Sequence, residues 1–312
     1  MGNATFLGVD THSIHGFTVY DVKDPHSLTQ VSGYLRYESR PGRMFFRGQS
    51  KLYAHATPSL FRGRSQKVIA KHTRLLNAYV EELSGGNCSC PWYSGQNWYS
   101  KSHECSERLD VNDHGGSVAS GTYRAAVEPL LQHYGVATRW IDAVDNIWVA
   151  LWFACHEQVT KNGYAYHLKR SRETEAARTS HVPYAYVYML ETGTLASTNV
   201  PGYDISEETR LIDLRYCVPS IYLRPHAQHG VLLARRRLSP RPDAINNSLD
   251  HAVAGVIRVR LSNALDWLGD GALTNHFTLF PPAVHDVGYR RLMSGPSPDE
   301  GLGAIVIYQG GA

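Results

Sequence analysis

LLQHYGVATRWIDAVDNIWVALWFAC, Leu130 to Cys155, is the stretch on which the reading of this chain turns. It sets Gln132, His133, Tyr134, Arg139 and Asp142 among residues that otherwise read as core, and polar groups so placed need partners or a purpose. Tyr123 to Tyr134 reads as a helix that carries Pro129 and is stopped by Gly135. Asp145 reads as the cap of a helix from Asn146 to Val159, nearly all apolar and therefore buried. Upstream, Met44 to Gln49, MFFRGQ, reads as a strand ending in an arginine and a glycine that leaves backbone exposed. The two segments are expected to face each other across a cleft.

Working outward, Pro25-His26-Ser27 opens a helix, with Ser27 as its cap, after short strands and turns. Lys67 to Leu83 repeats Val68, Leu75, Leu76, Tyr79, Val80 and Leu83 at helical spacing, and Gly85-Gly86 stops it. From Tyr164 the pattern changes to strands, at Tyr184 to Leu190, Gly230 to Ala234, Gly255 to Arg260 and Gly303 to Tyr308. Ser262 to Leu268 is a short helix, and Pro281 to Leu292 ends in another. Helices mainly in the first half and a mixed or antiparallel sheet in the second define an α+β fold. The expected organisation is one domain over residues 1–312, with an N-terminal extension at 1–40 packed on the core and a loop-like insert at 84–121.

At 312 residues and 43% hydrophobic, the chain can bury a large core, which excludes a disordered protein. With 19% charged residues and a net charge of +3, no strongly basic surface announces nucleic-acid binding by composition alone. No apolar stretch approaches the roughly 20 residues of a membrane span. Met1-Gly2-Asn3-Ala4 lacks the features of a secretion signal, and Phe6 stands where myristoylation wants Ser or Thr. A cytoplasmic protein with no membrane partner is expected. Cys155 and Cys217 read as packing residues, whereas Cys88, Cys90, His103 and Cys105 cluster in a loop-like segment and read either as a zinc site or as free thiols. No other metal site is expected. There is no G-x-G-x-x-G and no P-loop, so neither a Rossmann nor a kinase-like nucleotide site is supported.

Phe46-Arg47-Gly48-Gln49, the Tyr53 and Pro58-Ser59-Leu60 that follow, and LLQHYG-x-x-TR-x-x-D from Leu130 to Asp142 together resemble the FRG domain family. Ala150, Leu151 and Phe153, Ala227-Gln228-His229-Gly230, Leu279-Phe280-Pro281 and Asp286 extend the resemblance. An Arg on an early strand, a His-Tyr pair and a third polar residue on a later strand are similar in layout to the three-part site of ADP-ribosyltransferases. That likeness implies an ADP-ribosyltransferase-like core with NAD as substrate. Arg47 would hold the phosphates, His133 the ribose, and Tyr53 or Tyr134 the nicotinamide ring. Gln49, Gln132, Thr138 and Arg139 complete the expected NAD-binding set. Such enzymes commonly place a Glu on the third element, where this chain has Gln228, so Asp142 or His229 would serve as base.

Each of these residues also has a plain structural reading, Arg47 as a buried ion-pair partner, His133 as bonded to a carbonyl, and Arg139 as paired with Asp142. Arg235-Arg236-Arg237 with Arg241 is either a phosphate-binding run or a solvated turn. The resemblance implies a toxin-like effector of a bacterial toxin–antitoxin or anti-phage system that transfers ADP-ribose from NAD to RNA or DNA and is held by a neutralising protein partner. An NAD glycohydrolase, a metal-independent nuclease and a non-catalytic nucleotide-binding module are the alternatives.

Overall fold

Phe46, Arg47 and Gly48 lie near the centre of a ten-stranded sheet. The computed structural model describes residues 9–39, 41–85, 120–161, 164–171, 182–218, 220–239, 245–269, 271, 274–293, 305 and 307–308. In chain order these form β1 (Asp10–Ile14), β2 (Phe17–Val22), α1 (Pro25–Glu38), β3 (Met44–Gln49), a 3-10 turn (Ser59–Phe61), α2 (Gln66–Gly85), α3 (Ser120–His133), β4 (Ile141–Val144) and α4 (Ile147–Ala154). There follow β5 (His156–Lys161), β6 (Tyr164–Lys169), β7 (Tyr184–Glu191), β8 (Ala196–Ser197), β9 (Tyr203–Ile205), β10 (Thr209–Asp213), α5 (Leu214–Cys217), α6 (Leu223–Ala227) and β11 (Gly230–Arg235). A second 3-10 turn (Asp250–Ala252), β12 (Val253–Arg260), α7 (Leu261–Leu268), α8 (His276–Leu279), α9 (Val287–Met293) and β13 (Ile307–Tyr308) complete them.

The large sheet runs β1-β2-β12-β7-β3-β4-β11-β10-β9-β8, and β13-β6-β5 form a small second one. Pairing is antiparallel except between β12 and β2 and between β13 and β6. The fold is α+β, as expected, but the sheet is not confined to the second half. β3 and β4 from the first half sit between β7 and β11, because pairing between strands far apart in the chain is decided by packing and not by sequence order. Within the expected N-terminal extension, β2 pairs with β12 in the main sheet. The insert proposed at 84–121 lies almost wholly outside the described residues.

Alternation along the strands sends side chains to two differently covered faces. One face carries Tyr20, Met44, Phe46, Val144, Val187, Met189 and Ile257 under α1, α4 and α7, continued by Leu232, Ala234 and Ile212 under α3, α5 and α9. The other carries Phe17, Val19, Phe45, Ile141, Ala143, Tyr188, Leu190, Leu211, Val231, Leu233 and Val256. Irregular backbone covers that second face, with Ala56, Leu249 and Ala252 packed into it. A loop-covered face is where a pocket can open.

Several local expectations are corrected. Asn146, not Asp145, caps α4, accepting from the Trp148 amide at 2.9 Å. The helix ends at Ala154, and His156–Lys161 pairs as strand β5 instead of extending it to Val159. Its apolar run was long enough for a helix, but pairing with β6 captured the end. Asp24, not Ser27, caps α1, its Oδ1 accepting from the His26 and Ser27 amides, with Ser27 as the reciprocal member of a capping box. Of the strand expected at Gly303 to Tyr308, Ile307–Tyr308 lies within the described residues as a strand.

Candidate functional site

Arg47 points to the loop-covered face, two residues along β3 from Phe45 and opposite in direction to Phe46 and Gly48. There it lines a pocket of about 310 Å³ with Gln49, Tyr53, His55, Arg62 and Tyr188, at the lower end of the size range of small-molecule sites. The backbone around this pocket is tied down. The Tyr188 hydroxyl accepts from the Tyr53 amide at 2.8 Å and donates to the Tyr53 carbonyl at 3.0 Å. Asp250 Oδ1 accepts from the Ala56 amide at 2.6 Å, and the Leu249 amide donates to the Ala56 carbonyl at 2.8 Å. Arg62 Nε donates to the Thr57 carbonyl at 2.8 Å. The segment from Tyr53 to Arg62 is thus a preorganised wall.

Two guanidinium groups meet at this wall. Arg47 donates through Nη1 to the Asp142 carbonyl at 2.5 Å. Among the described residues neither Arg47 nor Arg62 forms an ion pair; their observed partners are backbone carbonyls. Burial and then the neighbouring charge of Arg62 push the Arg47 guanidinium down to about 10. Arg62 is lowered too, chiefly by desolvation. Burial also pushes the Tyr188 phenol up to about 12, against the opposing influence of the Tyr53 amide and Arg47. Two guanidinium groups lining one pocket, with no carboxylate bonded to either among the described residues, favour an anion there, and two planar forks suit the oxygens of phosphate or carboxylate.

The second segment does not face Arg47 across a cleft. β4 joins the same sheet beside β3, with Phe46 opposite Val144, and the Asp142 side chain turns to the helical face. There Asp142 Oδ2 accepts from Gln132 Nε2 at 2.8 Å, and Oδ1 stands 3.4 Å from His133 Nδ1. Gln132 Oε1 in turn accepts from Ser59 Oγ, the Thr138 amide and Thr138 Oγ1 at 2.8, 3.2 and 2.8 Å. Burial raises the Asp142 carboxyl, but the hydrogen bond and charge of His133, the charge of Arg47 and the hydrogen bond of Gln132 outweigh it and hold it below the usual range. This network locks the end of α3 to β4 and to the turn at Ser59. His133 is buried, with its ring against Gly230, where a Cβ would stand 2.6 Å from Cε1.

Other expected site residues serve the frame as well. Tyr134 is fully buried and donates to Asp286 Oδ2 at 2.6 Å, with Arg224 stacked 4.3 Å over its ring, so it cannot underlie a nicotinamide. Arg139 pairs with Glu128, not Asp142, through Nε–H to Oε1 at 2.9 Å and through a second contact from Nη2 to Oε2. Thr138 is fully buried and accepts from the Trp140 amide at 3.1 Å. Gln228 does not open a strand; it is buried at the C-terminal cap of α6 and donates from Nε2 to the Leu279 carbonyl at 2.7 Å. His229, in the left-handed region at φ 55°, follows that cap and stands 3.2 Å from Asp145 in a groove against α1, remote in direction from Arg47. Arg235 and Arg236 donate to the carbonyls of Asn246 and Ser206, both at 3.0 Å, and Arg237 is exposed. Arg241, Cys88, Cys90, His103 and Cys105 lie outside the described residues.

From the expected set the pocket therefore gathers Arg47, Gln49 and Tyr53, and it adds Arg62, His55 and Tyr188. Arg62 is preceded by Phe61 and followed by Gly63, so the sequence repeats Phe-Arg-Gly at 61–63, the one signal that could have found it. Nothing in the spacing of His55 and Asp250, 195 residues apart, announces that they touch.

Among the described residues no group of His, Cys, Asp and Glu has the arrangement of a metal site, and no helix is long and apolar enough to cross a membrane. The model of the FRG domain family matches residues 42–163. Neither the curated proteins nor the solved structures contain a match to the chain.

Proposed function

We propose that the pocket, most of whose lining falls within the residues 42–163 matched by the FRG domain model, binds NAD by the pyrophosphate and that the chain transfers ADP-ribose from it to a macromolecule. The observation that carries this reading is the convergence of Arg47 and Arg62 on one pocket, two cations with carbonyls as their observed partners and no ion pair among the described residues. A pyrophosphate offers two anionic groups, one for each fork. Tyr53, whose backbone is clamped while the residue is 47% exposed, offers a face on which nicotinamide or adenine can stack. Gln49 lines the same pocket and brings an amide that suits a ribose hydroxyl.

Cleavage of the nicotinamide bond passes through an oxocarbenium-like state. The pocket's contribution is to hold the phosphates so that the ribose is presented in one orientation. Lys51, exposed between the pocket residues Gln49 and Tyr53, favours a polyanionic acceptor, RNA or DNA, over a neutral one. An effector of this kind belongs in a toxin–antitoxin or anti-phage system and requires a neutralising protein.

The test is calorimetric binding of NAD to the purified chain, followed by incubation with labelled NAD and separate pools of RNA, DNA and protein and mass analysis of each. NAD is expected to bind, Arg62→Ala to weaken binding about 10-fold or more, and one polymer pool to gain ADP-ribose. Absence of NAD binding, or binding indifferent to Arg47→Ala and Arg62→Ala, would overturn the reading.

A further inference from the structure

His55 lines the same pocket as Arg47 and Arg62, and its Nδ1 stands 2.7 Å from Asp250 Oδ2. The carboxylate is itself fixed, because Asp250 Oδ1 accepts from the Ala56 amide at 2.6 Å. A carboxylate accepts only, so Nδ1 carries the hydrogen, and in the neutral imidazole Nε2 keeps its lone pair. A surface ion pair would look similar but contributes little to stability. Here the segment is already anchored by the Tyr53–Tyr188 and Ala56–Leu249 hydrogen bonds, so the side-chain pair is not needed to hold it. An imidazole oriented by a carboxylate beside two guanidinium groups is the arrangement of a general base with its orienting group.

Resting on the NAD reading above, we propose that His55, oriented by Asp250, is the base that accepts the proton of the attacking acceptor. A lone pair on the acceptor's oxygen or nitrogen forms the bond to C1′ of the nicotinamide ribose as the C1′–N bond breaks. Nicotinamide leaves with that bonding pair as a neutral molecule. The acceptor's proton passes to Nε2 of His55 and then to water, while the Asp250 carboxylate stabilises the transient imidazolium. With water as acceptor the same step gives free ADP-ribose. His55 is the catalytic residue and Asp250 a positioning residue.

The experiment measures NAD binding by calorimetry and nicotinamide release by chromatography, separately, on the full chain and on His55→Gln, Asp250→Asn and His55→Ala with added imidazole. His55→Gln is expected to bind NAD within about 3-fold of the parent while releasing nicotinamide about 100-fold more slowly or worse. Added imidazole restores part of the rate to His55→Ala, and Asp250→Asn falls between, in kcat and not in KM. Unchanged release by His55→Gln, or a loss confined to binding, overturns the role of His55 and leaves the NAD reading standing. A parent chain that binds no NAD overturns that reading and the base with it.

Discussion

A Cβ added to Gly48 would stand 1.8 Å from the carbonyl oxygen of Ala150. The buried helix α4 thus lies directly on the backbone of β3, with Phe46 packed beside it and Arg47 directed away to the pocket. The clash is with backbone, which cannot rotate aside as a side chain would. Gly48→Ala is expected to lower the unfolding free energy by about 3 kcal/mol or more, through forced separation of helix and strand. Chemical denaturation of the two proteins checks it, and equal midpoints would contradict the contact.

Asp142 confers a stability that depends on acid. Its folded carboxyl is held below the ordinary value through His133, Arg47 and Gln132 in spite of burial. The stabilisation is therefore present above the unfolded value of about 4 and is lost as pH falls through the lowered folded value. In Asp142→Asn the decline of unfolding free energy below about pH 4 is expected to be shallower than in the parent, as read from urea titrations at successive pH values.

A second window lies higher. His156 stacks on Trp152 at 3.8 Å and His167 on Phe280 at 4.1 Å. Burial pushes them down to about 4 and about 3 respectively. Both are neutral in the fold and charge more readily when unfolded, so stability is complete above about pH 6.5 and falls as pH drops from there, flattening below about 3. His167→Phe is expected to reduce the slope between about pH 6 and pH 4 by up to one proton. The same urea titrations, confined to that range, separate this effect from that of Asp142.

Arg139 separates the frame from the pocket. Its partner Glu128 is nearly buried, with a side chain 9% exposed, so Arg139→Gln leaves a carboxylate poorly solvated and is expected to cost about 3 kcal/mol. Because the pair lies on the helical side of the molecule, NAD binding by the folded variant should match the parent within about 2-fold. A large loss of binding at unchanged stability would return Arg139 to the site.

The sequence by itself determined the elements and the motif segments. The periodicity of Leu75, Leu76 and their neighbours marked α2, the alternation from Tyr184 marked β7, and Phe46-Arg47-Gly48 with LLQHYG marked the segments that matter. These signals are local, set by which residues can share one face of one element. What the motif polar residues do was decided only by the tertiary structure. Gln132, His133, Thr138 and Asp142 bond to one another around Ser59, and Tyr134 and Asp286 to each other, because buried polar groups must be satisfied by whatever the fold brings within reach. The pocket was decided the same way. Arg47 meets Arg62 across a folded-back loop, and His55 meets Asp250 across 195 residues, contacts fixed by sheet order and loop anchoring that no spacing along the chain encodes.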